Sequence, residues 1–169
     1  MTDFLTAVEN LPLSTWVRES NSIWAYPTML TLHTLGLALL VGASAALNLR
    51  VLGWGQPLAL ADLRPLFRWM WVGFWVNALS GVVLLAADAT TKAAAPMFLI
   101  KLGLVAIGVF VMAAQKREVF APAVHLRQGS GGQAYTRRSR SLALASLTVW
   151  FTAIFAGRLM AYPGLFFGI

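Results

Sequence analysis

Only two histidines occur in this chain of 169 residues, and one of them, His33, interrupts the apolar run TLHTLGLALLVG. An imidazole can hold a metal or a haem iron, carry a proton, or join a hydrogen-bond network. Few residues are available to share that work. Met29 precedes His33 by one helical turn and could complete a soft Cu(I) pair with it. Lys101 and Arg158 are cations inside apolar runs, Asp88 closes another such run, and Asn77 is an amide within it. A b-type haem needs an axial imidazole and cations for its two propionates. His33 with Lys101 and Arg158 meets that need, with Asn77 and Asp88 as further polar lining.

The same residues have a purely structural reading. His33, Asn77 and Thr152 would form a hydrogen-bonded layer between helices, worth ~0.6–2 kcal/mol per bond. Asp88 would neutralise Lys101 or Arg158, whose long stems reach outward to water. Those two cations face one local carboxylate. Glu19 is a second candidate counter-ion, and otherwise an anionic ligand is the natural complement.

Several chemistries are excluded or disfavoured. The absence of cysteine excludes disulfides, thiolate zinc sites, iron–sulfur clusters and covalently attached haem. No Ser/His/Asp set is arranged for acyl transfer, and no carboxylate pair is spaced for acid–base work. The second histidine, His125, falls in a loop, which excludes a bis-histidine haem within one chain. A methionine ligand, a five-coordinate iron, or a haem shared by two copies of His33 would remain. Met97 and Met160 lie nearer the outer end than His33, and Met29 faces the same way as His33.

The elements that must position these residues are membrane spans. The chain is 59% hydrophobic and 11% charged, against about 25% charged in a soluble domain. A spanning helix needs ~20 mostly apolar residues. Four segments qualify, at about 24–49, 67–87, 97–114 and 142–162, giving an all-α four-span bundle. Gly53, Gly55, Pro57 and Pro65 break the first connection, and DATTKAAAP forms a short second one. The third connection, 115–141, is basic and reads as flexible around its Gly-Ser centre. It lacks a GxxxxGK[ST] phosphate loop. Residues 1–22 lack the basic and apolar regions of a signal peptide. They read as one or two short interfacial helices that lie on the membrane, cap the bundle or contact a partner.

The net charge is +7. Nine of the thirteen Lys and Arg residues fall in or beside the first and third connections, and four fall on the other side. That asymmetry orients the chain with both termini outside, and it explains the basic charge without nucleic acid. Trp24 and Tyr162 then mark the outer interface, and Trp54 and Trp69 the inner one. At 1.5 Å per residue His33 lies ~13 Å deep, level with Asn77 and Thr152. Lys101 and Arg158 lie ~6–8 Å deep, an offset that suits one haem standing on edge. Gly36 on the His33 face, and Gly81 on the second span, would leave room for a flat macrocycle. The aromatic run RWMWVGFW reads as an interfacial belt entering the core, with a quinone contact surface as the alternative.

The segments SIWAYPTMLTLHTLGLALLVG, RWMWVGFWVNALSGVVLLAAD, APMFLIKLGLV and AGRLMAY resemble a group of small bacterial four-span membrane proteins known only as a domain of unknown function. The resemblance leaves out the N-terminal segment and the Gly-rich loop. It implies the fold and a bacterial inner membrane, but no activity. More loosely, a histidine within a span is similar to the copper-resistance D and di-haem b-cytochrome membrane families, which carry further intramembrane histidines. The expectation is an inner-membrane subunit with an outward-opening polar pocket, binding haem or another anionic redox ligand for electron transfer. Its rivals are a non-enzymatic accessory subunit and a small copper-handling or transport protein. The partners expected are the lipid bilayer and another membrane or periplasmic protein or a second copy of the chain.

Overall fold

The computed structural model of the chain describes residues 2–54, 63–119 and 135–160. Among them the elements are all helical: α1 Thr2–Glu9, α2 Pro12–Glu19, α3 Tyr26–Leu52, α4 Arg64–Ala86, α5 Ala89–Ala93, α6 Pro96–Val119 and α7 Arg137–Leu159. Four of them (α3, α4, α6 and α7) are long and apolar enough to cross a membrane. The fold is therefore an all-α, four-span bundle.

Local sequence sets where the spans begin and end. Proline stands in the first turn of α2, α3 and α4, where its missing N–H costs nothing, and Pro96 opens α6. Gly53 ends α3 in the left-handed region at φ 109°. Its N–H bonds to Arg50 O and that of Trp54 to Leu49 O, the paired bonds of a Schellman cap. Thr136 caps α7 by accepting from the Ser139 N–H at 3.0 Å.

The third and fourth long helices reach further than expected toward the basic connection. Lys116 and Arg117 lie in the last turn of α6, where cations complement the helix dipole. Arg137, Arg138 and Arg140 lie in the first turn of α7, set there by the Thr136 cap. The expected loop 115–141 is thus helical at both ends. Its centre 120–134, with His125 and the Gly-Ser stretch, lies outside the described residues, as does Tyr162. The short link after α4 also contains a helical turn, α5.

Helix α3 is the hub. It packs along α4 on one side and against α7 on the other, while α6 packs on α7. The α3–α4 crossing is backbone against backbone. A Cβ on Gly36 would come within 2.6 Å of Asn77 N, and one on Gly73 within 2.6 Å of Leu40 N. Small residues at a crossing let membrane helices gain dispersion contact that lipid cannot match. The α6–α7 pair uses a different device: the fully buried Trp150 ring lies on Gly108, where a Cβ would sit 2.8 Å from Cζ2. Leu40, Leu47, Val51, Phe67, Met70 and Met112 fill the core between the pairs.

The two N-terminal helices dock on the α4–α5 corner. Val17 and Ser14 are buried, and Arg18 donates to Ala87 O at 3.4 Å. Glu9 accepts from the Thr90 N–H at 3.2 Å and pairs with Arg18 at 3.4 Å. Phe4, Leu11, Leu13, Ile23 and Trp24 stay exposed.

Candidate functional site

The glycine crossing brings His33 of α3 against the turn of α4 from Asn77 to Gly81. Asn77 Nδ2 donates to His33 O at 2.7 Å, and His33 Nδ1 lies 2.9 Å from Asn77 O. A carbonyl oxygen only accepts, so Nδ1 carries the proton and the neutral ring presents its lone pair at Nε2. Ser80 Oγ, donating to Val76 O at 2.6 Å, lies 3.3 Å from Nδ1. Gly81 makes room for the ring itself: a Cβ there would be 3.0 Å from His33 Cε1.

Lys101 of α6 completes the group. Its Nζ is 3.5 Å from His33 Nε2. The stem of Lys101 lies over Gly157 of α7, where a Cβ would be 3.4 Å from Cε and 3.5 Å from Nζ. His33, Asn77 and Lys101 are thus brought together from three spans, with Gly157 of the fourth beneath the lysine stem. Lys101 makes no ion pair with any described residue.

Other expected partners are placed elsewhere. Asp88 does not pair with Lys101 or Arg158. It pairs with Lys92 at 3.6 Å, because α5 sets the two one turn apart, and Lys92 Nζ also donates to Leu84 O at 3.3 Å. Glu19 pairs with Arg18 at 3.0 Å rather than with either buried cation. Arg158 is exposed and makes no ion pair among the described residues, since it projects from α7 about 100° away from Gly157. Thr152 shares the depth of His33 but not its direction. It is exposed and bonds Thr148 O of its own helix at 2.8 Å.

The geometry bears on each cofactor. Gly36 leaves no room for a macrocycle, because the α4 backbone fills that space, and the imidazole fills the space at Gly81. The Lys101 ammonium stands beside Nε2, where an axial iron would bind. A haem ligated by His33 does not fit this arrangement. Met29 is half-buried one turn before His33. No group of three or more His, Asp or Glu residues that could hold a metal occurs among the described residues. A cation beside Nε2 also opposes Cu(I) there.

A second polar layer, nearer the basic end, was not expected. Ser44 Oγ meets Ser146 Oγ at 3.2 Å, Asn48 Nδ2 donates to Ser44 Oγ at 3.1 Å, and Gln115 Nε2 donates to Asn48 Oδ1. All four residues are buried, and together they link α3, α6 and α7. The spacing of Ser44 and Asn48, four apart on one face of α3, is the signal that points to it. Because these side chains chiefly bond one another, the layer reads as a structural clasp.

Comparisons with protein-family models, with curated proteins and with solved structures found no match to this chain.

Proposed function

We propose that this chain is a small bacterial inner-membrane subunit that holds an anionic redox ligand in the outward half of its bundle, in support of electron transfer. Both termini face the periplasm, on the charge asymmetry of the loops. One observation carries the reading: Lys101 Nζ stands 3.5 Å from His33 Nε2, within a span, without a described carboxylate partner. A cation in a low-dielectric span calls for a counter-charge. Both local acids are engaged by other cations. A carboxylate, or the anionic oxygen of a reduced quinone-like ring, supplies what Lys101 lacks. The redox part draws on the edge-to-face chain Trp71–Phe74–Trp75.

The test is extraction of the full chain purified in mild detergent, with mass spectrometry of the small molecules released. An anionic redox-active molecule should accompany wild type and fall at least tenfold in Lys101→Met. Equal extracts from the two proteins would sink the reading. A reduced-minus-oxidised spectrum of the same samples reports haem held by any other arrangement.

A non-enzymatic accessory subunit is the second reading, and one observation favours it. Ala38, Gly42 and Ala46 form a small-residue stripe on α3 that lines a groove of about 480 Å³ with Leu66 and Trp69. A Cβ on Gly42 would meet nothing within 4 Å. Such a stripe admits close approach by another helix. On this reading Gly42→Leu lowers the mass of the solubilised complex and leaves the extract unchanged.

A further inference from the structure

We infer that the His33–Lys101 site takes up its anion together with one proton, so that ligand entry is electroneutral. The inference rests on the anion site just proposed. Asn77 O faces Nδ1 at 2.9 Å, and a carbonyl cannot donate, so Nδ1 holds the ring's one proton in the neutral state. Nε2 is then an acceptor, and the group opposite it, Lys101 Nζ at 3.5 Å, is a donor without an acceptor function.

The empty pair therefore carries one positive charge, on Lys101. Protonating His33 as well would set two cations about one hydrogen bond apart in a poorly solvated span. An anion oxygen that bridges Nζ and Nε2 from the side, drawing the Lys101 N–H off Nε2, reverses that balance. It accepts from Lys101, and it is better held if Nε2 also donates. The imidazole takes a proton from the aqueous side at Nε2 while Nδ1–H stays on Asn77 O. No electrons move, and no covalent bond is made or broken beyond that N–H. The site holds a charge of +1 before and after, because the proton cancels the anion.

Among the described residues no nearby group relieves His33 of this role. On α4 the ring meets Asn77 and Ser80, which are neutral. On α5 Lys92 adds positive charge but is paired with Asp88. On α7 Arg158 is exposed, next to Gly157 on which Lys101 rests. Helix α2 contributes Arg18, which is held by Glu9 and Glu19 at the α4–α5 corner. The bond that Nδ1–H donates to Asn77 O is what makes the coupling specific, since it leaves Nε2 for the incoming ligand.

Calorimetric titration of the full detergent-solubilised chain with sodium benzoate, in two buffers of different ionisation enthalpy, counts the protons taken up. Near pH 7.5 wild type should bind benzoate with close to one proton per anion. His33→Gln should bind at least several-fold more weakly, with a proton count near zero. Lys101→Met should show at least a tenfold loss of affinity. Binding by wild type with no proton uptake overturns the coupling and leaves the anion site standing. No binding by wild type overturns both. The two-buffer measurement on wild type decides the coupling even if a variant fails to fold.

Discussion

Asn77 serves His33 twice, and the two services are separable. Its amide side chain holds the α3 backbone at His33 O, whereas its own main-chain carbonyl orients the ring. Asn77→Leu removes the first and retains the second. We expect a loss of ~0.6–2 kcal/mol in unfolding free energy, the range for one interhelical bond in a membrane, with benzoate affinity changed less than about threefold. A tenfold loss of affinity in a folded Asn77→Leu protein would show that the amide, not the carbonyl, sets the ring. Residue depth alone brought His33 and Asn77 to one level. It did not locate the tip of Lys101, because a four-carbon stem carries the ammonium several ångströms from its Cα. The outward course expected from snorkelling is replaced by one over Gly157 toward His33 Nε2. Depth also says nothing of azimuth, which is why Thr152 was expected in a layer it does not join.

At the scale of elements, the site depends on how closely α3 and α4 approach. The Gly36–Gly73 crossing leaves no space for a β-carbon on either residue. Gly73→Leu must push the helices apart and carry Asn77 away from His33. The expected cost is about 1–3 kcal/mol or more, seen as a lower denaturation midpoint together with lost benzoate binding. Gly103→Leu on α6 is the control, since a Cβ there meets nothing within 4 Å, and its midpoint should match wild type. Equal midpoints for Gly73→Leu and wild type would refute the backbone contact. The four spans were legible as long apolar runs. The short helix α5 was not, and with it went the pairing of Asp88, because an i,i+4 ion pair exists only once the link is helical.

For the molecule as a whole, the distribution of charge and the polar layers divide the bundle into two ends. The end with α1 and α2 holds the His33–Lys101 group. The other holds the Ser44–Asn48–Gln115–Ser146 clasp and the cluster of arginines that opens α7. Orientation in the membrane can be tested without background labelling, because the chain has no native cysteine. Thr2→Cys should react with an impermeant maleimide in cells whose outer membrane alone is opened. Ser141→Cys, in the first turns of α7, should react only after the inner membrane is permeabilised. The opposite pattern would invert the bundle and place the anion site on the cytoplasmic side.

The sequence by itself determined the membrane class and the number of spans. Those follow from length and hydropathy, which are sums over local residues. It also singled out His33, Asn77 and Lys101, because a polar group in a span is conspicuous wherever it points. Only the tertiary structure decided which of those groups meet. Contact depends on helix rotation and on side-chain reach, and both are set by where glycines let backbones touch. Gly36 and Gly81, expected to admit a macrocycle, are instead occupied by a neighbouring helix and by the imidazole. The residue that faces the histidine is a lysine from another helix pair.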